Sequence, residues 1–186
     1  MAGRTRQVAI AAVLVLIVVS GCLNATSETG DQPIGSATTA TPAECTGEET
    51  GPGFDFSAGI PSEANGFELT ANERGVERGD PITFELTNVA GEQRTTGTSN
   101  RYALQRQIDN GWRTVTLFES ARAGFNATAV THDPGAGFEW GFRASAVGFS
   151  TGTFVVCERL RVGTYRFVFQ MSSSSLAVEF ELTESE

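Results

Sequence analysis

The chain has 186 residues, which is room for one ordinary domain and an extension. It carries 13 arginines, no lysine and 22 acidic residues, and its formal net charge is −9 at pH 7. Because Arg4 and Arg6 lie in an N-terminal targeting segment, the remainder has 11 arginines against 22 acids. A surface with this average charge disfavours nucleic acid and anionic lipid headgroups as partners.

Residues 1–21 are predicted to be a secretion signal. Two arginines precede an apolar stretch at residues 8–19, which is too short to span a bilayer comfortably. Residues 19–22, VSGC, place small residues before a cysteine and resemble the lipobox of lipoproteins. The resemblance implies a lipid on the Cys22 thiol and attachment to the outer face of the cell membrane. The alternative is a plain secreted protein that is cleaved after a small residue.

Residues 22–64 are predicted to form a lipid-anchored flexible stalk. As far as about residue 53 they are mostly Thr, Ser, Gly, Glu and Pro, so they bury too little apolar surface to fold alone. About thirty residues of such coil span roughly 30 Å. Asn24 begins an Asn-Ala-Thr pattern for N-glycosylation, and Asn126 begins a second one. Both are candidate glycosylation sites, although the pattern also occurs by chance.

Cys45 and Cys157 remain once Cys22 is assigned to the lipid. Outside the cell an isolated pair of thiols usually becomes a disulfide. A disulfide between Cys45 and Cys157 would close a loop of more than a hundred residues. The chain-entropy model gives a stabilisation of roughly 4 to 5 kcal/mol for such a loop. A metal or redox pair would need closer cysteines or a neighbouring histidine. We therefore predict a disulfide that pins the end of the stalk to the domain.

Residues 65–186 show the two-residue period of short strands and no sustained helical period. Residues 82–87 alternate strictly between apolar and polar side chains. Residues 102–108 and 112–118 flank Asn110-Gly111, a pair that supplies the positive φ of a tight hairpin turn. Alternation resumes in the last fifty residues. Side chains predicted to fill the core include Ile82, Phe84, Leu86, Tyr102, Leu104 and Trp112.

Two segments are predicted to be loops. Residues 89–100 are polar, and residues 119–137 form the longest irregular connection. The second segment holds the only histidine, His132, in the sequence HDPG. A histidine beside Asp133 could suggest a proton relay or a ligand pair, but adjacent residues in a Pro-Gly turn point in different directions. An ordinary turn is therefore the favoured interpretation.

Several motifs together resemble the immunoglobulin-like domains of bacterial and archaeal cell-surface lipoproteins. They are residues 79–88 (GDPITFELTN), the hairpin at residues 110–112 (NGW) and residues 163–167 (GTYRF). The resemblance covers roughly residues 65–184 and implies an antiparallel β-sandwich. The acidic, lysine-free composition also resembles that of secreted proteins from salt-loving archaea.

Residues 160–165 (LRVGTY) are similar to the tyrosine corner of immunoglobulin-type sandwiches. This implies that the phenol of Tyr165 bonds a backbone group near the corner of the sheet. The cysteines depart from the antibody pattern, because Cys157 precedes this tyrosine and Cys45 lies outside the sandwich. Core packing then has to hold the two sheets together without a bridge between them.

The sequence contains no constellation of reactive side chains, and we predict that the protein is not an enzyme. A Ser or Cys nucleophile needs a positioned base, and the only histidine lies in a predicted turn. A blue-copper site needs two histidines, so no metal or cofactor is expected. The favoured function is a non-enzymatic binding or accessory module that holds another envelope protein or a glycan. The alternatives are a protease inhibitor that uses the loops at 89–100 and 119–137, and a structural spacer.

Overall fold

The computed structural model describes residues 42–53, 59–120, 123–145 and 147–185. The predicted signal peptide at 1–21, the lipid attachment residue Cys22 and the acceptor Asn24 lie outside these residues. Within the described ranges the secondary structure consists of β-strands without a helix. In chain order the strands are Glu63–Ala64 (β1), Phe67–Ala71 (β2), Gly75–Glu77 (β3), Pro81–Asn88 (β4), Arg94–Thr96 (β5), Tyr102–Ile108 (β6), Gly111–Thr114 (β7), Val130–His132 (β8), Gly137–Arg143 (β9), Gly163–Gln170 (β10) and Ser175–Thr183 (β11).

The strands form two larger sheets and one short ribbon. The first sheet has the order β1-β2-β4-β9, the second has the order β3-β11-β10-β6-β7, and β5 pairs with β8. Neighbouring strands are antiparallel, except that β3 runs parallel to β11. The predicted all-β class is therefore confirmed.

The core lies between the two larger sheets and is mostly aromatic. On β4, Ile82, Phe84 and Leu86 are at most 1% exposed, as their alternation predicts. The ring of Phe84 stacks on that of Phe167 from β10, with centroids 4.3 Å apart. Stacked and edge-on ring pairs contribute more than the burial of their area alone. This packing joins the sheets without a disulfide between them.

Trp112 does not lie in the core, which corrects the sequence prediction. In the β6–β7 hairpin it pairs with Gln107, and Gln107 lies on the face opposite to Tyr102 and Leu104. The ring of Trp112 instead covers the guanidinium of Arg166, whose Cζ atom lies 4.3 Å from the ring centroid. The hairpin register decides this placement.

Arg166 is the largest buried polar side chain of the described residues, at 2% exposure. It alternates with Tyr165 and Phe167 on β10, so its side chain points to the outer face of the five-stranded sheet. Its Nε donates a 2.7 Å hydrogen bond to Oε1 of Gln105. Burial lowers the pKa of the Arg166 guanidinium. The guanidinium and the indole of Trp112 together cover this part of the outer face.

The predicted hairpin is confirmed, with a different turn. Ile108 pairs with Gly111, so the two turn residues are Asp109 and Asn110. Asp109 takes the left-handed conformation with φ 48°, where Asn110-Gly111 was expected to supply the positive φ. Aspartate tolerates this conformation better than most residues because its short side chain bonds locally.

The described part of the predicted stalk lies against the domain. The amide of Ala43 donates to the carbonyl of Val156 over 3.2 Å, and Thr50 forms a two-way bridge with Phe118 at 3.1 and 2.8 Å. Further on, β1 pairs with β2. Residues on the N-terminal side of the boundary predicted at residue 65 therefore also pair with the domain.

The predicted disulfide is confirmed. Cys45 and Cys157 are bonded, with their Cα atoms 5.5 Å apart and a sequence separation of 112. Val155, close to Cys157, bridges Leu117. The bond thus fastens the segment that precedes the first strand to the chain beside β7, as the prediction of a pinned stalk required.

Candidate functional site

The two predicted loops meet in a single β-ribbon. Residues 89–100 contain β5 and residues 119–137 contain β8, and the two strands pair from Arg94 with His132 to Thr96 with Val130. Both segments were predicted to be irregular, so this is a correction. The sequence could not show it because strands of three residues carry too little alternation to be recognised.

His132 is the last residue of β8 and not part of an exposed turn. It is 4% exposed, and its ring meets those of Phe67 and Phe138 edge-on at 5.6 and 4.7 Å. Its Nε2 lies 2.8 Å from Oγ1 of Thr96. The predicted turn follows one residue later, with Gly135 at φ 80°.

The hydroxyl of Thr96 lies 2.8 Å from the carbonyl of Gly97 and 2.8 Å from Nε2 of His132. A hydroxyl has one proton, so both contacts are hydrogen bonds at once only when Thr96 donates to Gly97 and accepts from Nε2–H of His132. Full satisfaction of Thr96 therefore favours the tautomer with the ring hydrogen on Nε2. Burial lowers the pKa of His132, which favours this neutral form.

Asn88 completes a buried polar network beneath the ribbon. It is 1% exposed, and its Nδ2 donates to the carbonyls of Glu92 and His132 over 2.9 and 3.0 Å. Its Oδ1 accepts the amide of Ala90 at 3.0 Å. Asn88, Thr96 and His132 thus tie the end of β4 to both strands of the ribbon. Satisfied buried networks of this kind specify one arrangement, because an alternative would leave polar groups unpaired.

Side chains on the outside of the ribbon are polar and exposed. The amide of Gln93 donates to the carboxylate of Asp133 over 2.6 Å, and Thr95 and Thr131 face each other across the two strands. Arg94, which pairs with Glu92 at 2.7 Å, stands opposite His132 and so belongs to the other face. We call the side chains of Gln93, Thr95, Thr131 and Asp133 the ribbon surface. They offer hydroxyl, amide and carboxylate groups, which can bind a polar ligand by hydrogen bonds.

The second glycosylation candidate, Asn126, is exposed and lies in the segment that leads to β8. Its Oδ1 accepts a long hydrogen bond of 3.4 Å from the amide of Thr128, and the hydroxyl of Thr98, which donates to Asn100, lies 3.4 Å away. Nearby, the indole of Trp140 donates to the carbonyl of Ser99 over 2.9 Å, which fixes the chain between β5 and β6. Glycosylation of Asn126 stays a prediction.

At the disulfide, Glu49 lies beside the two sulfur atoms. One ligand atom from each of Cys45, Glu49 and Cys157 lies within 4.8 Å of the others. The carboxylate accepts the amides of Thr46 and Gly47 at 2.8 Å each, and the backbone bond from Thr46 is the main cause that lowers its pKa. Because both thiols are consumed in the disulfide, this group is not a metal centre in the oxidised protein.

The contact implied by the tyrosine corner is present. The phenol of Tyr165 donates to the carbonyl of Arg161 over 2.6 Å, and Tyr165 is fully buried. Burial also raises its pKa. The bond closes the chain just before β10 onto that strand.

The serine-rich tip between β10 and β11 lines an open depression of about 410 Å³. Its other lining includes Ile60, Pro61 and Met171. The hydroxyl of Ser174 accepts a 2.8 Å hydrogen bond from Asn65. His132 is not among the lining residues, so these serines have no histidine beside them to act as a base.

Among the described residues, no helix is long and apolar enough to cross a membrane. The residues that form the buried network and the outer-face cluster, such as Asn88, Thr96 and Arg166, were not singled out by sequence reasoning. Each stands in an ordinary alternating or polar stretch, and its partners are distant in sequence. No local signal distinguishes them.

Neither a protein-family model nor a curated protein sequence matches the chain. Solved structures that align with it include a mutant β-glucosidase from Listeria innocua in complex with laminaribiose, at 17% identity and TM-score 0.31 over 63% of this chain and 16% of that one. Another is a β-glucosidase from Erythrobacter marinus, at 12% identity and TM-score 0.34 over 63% of this chain and 15% of that one. The gluconolactone complex of the Listeria enzyme aligns over 76% of this chain and 21% of its own, at 15% identity and TM-score 0.31. These TM-scores carry no argument about the function of this chain.

Proposed function

We propose that the protein is a non-enzymatic, lipid-anchored cell-surface module with an immunoglobulin-like fold, and that its ribbon surface holds a glycan or another protein of the cell envelope. Three kinds of observation support this: the packing of the two sheets, the sequence around Cys22 and the construction of the ribbon.

Two features support the immunoglobulin-like fold. Two sheets, antiparallel except for β3, face each other across an aromatic core, with Phe84 of one stacked on Phe167 of the other at 4.3 Å. The phenol of Tyr165 bonds the carbonyl of Arg161, which is the contact of a tyrosine corner.

The buried network of Asn88, Thr96 and His132 is the observation that carries the binding proposal. It places satisfied polar groups under a ribbon whose outer side chains are exposed and polar. A binding surface benefits from being fixed before the partner arrives, because less conformational entropy is lost on association. A spacer would have no need of a ribbon held in this way.

The role of His132 also supports a non-enzymatic function. Its Nε2 is committed to Thr96 and its ring lies between Phe67 and Phe138. The only histidine of the chain is therefore used in packing and is shielded from any substrate.

The resemblance of VSGC to a lipobox supports the lipid anchor, which would hold the domain near the membrane. Cys22 and Cys45 are 23 residues apart, so the connecting chain spans at most about 80 Å when fully extended. Since Cys45 is bonded to Cys157, this distance limits how far the domain can move from the bilayer.

The anchor is tested on the full-length chain expressed in cells that process lipoproteins. We expect it to partition into the detergent phase, and Cys22→Ser to move it to the aqueous phase. Mass spectrometry of the N-terminal peptide would identify a thioether lipid. Equal partitioning of the two proteins would contradict the anchor.

The binding site is tested by capture from cell-envelope extract with the chain from residue 23 onward, in high salt. The variant T95E/T131E changes the two threonines that face each other on the ribbon, and T70E/T183E is a control with the same substitutions at exposed positions of other strands. We expect a partner that is retained by the original chain and the control and lost by the ribbon variant. Retention by the ribbon variant would refute the site. Capture of nothing would favour the spacer, and capture of a protease would favour the inhibitor.

A further inference from the structure

Four arginines line one groove of this otherwise acidic protein. Arg106 and Arg113 come from the β6–β7 hairpin, and Arg159 and Arg161 come from the segment that precedes β10. Glu158 is the one carboxylate among the lining residues of this groove. We call these five side chains the arginine groove.

The single carboxylate of the groove does not neutralise its four arginines. Arg106 stands directly opposite Arg113 in the β-ladder, and like charges in that position are destabilising. Glu158 pairs with Arg113 and, at 3.7 Å, with Arg161. In the described part of the chain, Arg159 makes no ion pair, and Arg106 donates only to a neutral carbonyl, that of Val162, at 3.1 Å. The groove therefore keeps an excess of positive charge.

The groove is accessible and has apolar residues beside it. The side chains of Arg113 and Arg161 are 49% and 71% exposed. Val162 follows Arg161 and is 40% exposed, and Ile108 lies at the end of β6 and is 39% exposed. These are two of the three large hydrophobic residues found exposed among the described residues. Arginines beside exposed aliphatic side chains suit the headgroup region of a bilayer.

The disulfide places this groove at the point where the tether joins the domain. Cys157 directly precedes Glu158 in the sequence and adjoins Arg113. Its partner, Cys45, is joined to Cys22 by the chain segment that would form the tether. Glu49 lies beside the disulfide, and its negative charge is shared with the amides of Thr46 and Gly47 that bond it.

We propose that the arginine groove binds the anionic phosphate headgroups of the membrane to which the chain is anchored. This inference rests on the proposed lipid anchor. It refines the expectation drawn from net charge, because the average charge of a protein does not determine the field at one patch within a Debye length of a surface. The contact would turn this end of the domain toward the bilayer and leave the remaining surface to face outward.

Tethering makes a weak contact sufficient. A short flexible linker gives an effective concentration in the millimolar range, so a groove with modest intrinsic affinity would still be occupied. Each arginine near an anionic surface contributes a factor of about five to binding. Loss of two arginines should then weaken binding roughly 30-fold.

The experiment measures binding of the chain from residue 23 onward to vesicles, without the anchor. This chain contains every described strand and both bridged cysteines. The vesicles are phosphatidylcholine alone or a mixture with phosphatidylglycerol, at low and at high salt. The variant R159Q/R161Q removes two charges from the groove. The control R74Q/R94Q removes the same charge from two exposed positions, Arg74 directly before β3 and Arg94 on β5.

We expect binding to the anionic vesicles that falls with salt, a loss of roughly 30-fold in R159Q/R161Q, and a change of less than about threefold in R74Q/R94Q. Circular dichroism of both variants checks that they are folded. Equal binding to neutral vesicles, no binding to anionic ones, or equal losses in the two variants would overturn the proposal. Detergent partitioning of the full-length chain tests the anchor separately, so a failure of the groove and a failure of the anchor are distinguishable.

Discussion

Lowering the pH from 7.5 to 5.5 is expected to destabilise the protein through His132, the only histidine of the chain. Burial lowers the pKa of His132 in the folded state from its ordinary 6.5. Protonation would place a positive charge between the rings of Phe67 and Phe138, where burial disfavours the charged form. The unfolded chain therefore takes up the proton first. The stability that this histidine contributes is present above pH 6.5 and is lost as the pH falls toward its folded pKa.

The size of the effect has a ceiling. If the folded protein stays neutral at His132, proton uptake by the unfolded chain alone costs at most about 1.4 kcal/mol between pH 7.5 and 5.5. For a domain of this size that corresponds to a fall in Tm of about 5 °C. A smaller fall would mean that the folded pKa lies within this window.

The assay is denaturant unfolding followed by tryptophan fluorescence at pH 7.5, 6.5 and 5.5 in constant salt. His132→Gln is the control, because glutamine keeps an amide donor for Thr96 and does not titrate. We expect the free energy of unfolding of the original chain to fall and that of the variant to change little over the same range. A flat profile in the original chain, or equal slopes in the two proteins, would refute the account of a buried neutral histidine.

Three further predictions concern the disulfide and the tyrosine corner. Replacing both Cys45 and Cys157 by Ala should cost roughly 4 to 5 kcal/mol in denaturant unfolding because the unfolded chain is no longer cross-linked, and an unchanged midpoint would contradict this. Tyr165→Phe leaves the carbonyl of Arg161 without its 2.6 Å donor and should cost about 1 to 2 kcal/mol, which a thermal melt with unchanged Tm would disprove. Glu49→Gln removes a negative charge within 4.8 Å of the sulfur atoms and should speed reduction by anionic glutathione about threefold. Cationic cysteamine serves as the comparison reductant. If the variant were reduced faster by glutathione and by cysteamine to the same degree, electrostatic shielding by Glu49 would be contradicted.

Sequence reasoning succeeded where one strand or one pair of residues carried the signal. Alternation at Ile82, Phe84 and Leu86 gave the buried face of β4, because side chains on successive residues of a strand point to opposite faces. Counting identified the disulfide, since Cys45 and Cys157 were the only thiols left to pair. Both inferences needed no knowledge of which strands are neighbours.

It failed where the outcome depended on pairing between distant segments. Trp112 was assigned to the core, but the register of the hairpin places it opposite Gln107 on the outer face. His132 was assigned to a turn, but pairing of β8 with β5 draws it under the ribbon. The net charge also gives no sign that folding gathers Arg106, Arg159 and other arginines into one groove.

The sequence by itself determined the all-β class, the core face of the main strands and the disulfide, because hydrophobic periodicity and the number of thiols are local properties of the chain. Its prediction of a lipid-anchored surface module rests on the segment around Cys22. The tertiary structure decided the ribbon, the buried network and the arginine groove. These depend on strand order and register, which are set by the packing of all strands together and which a slip of one residue would reverse.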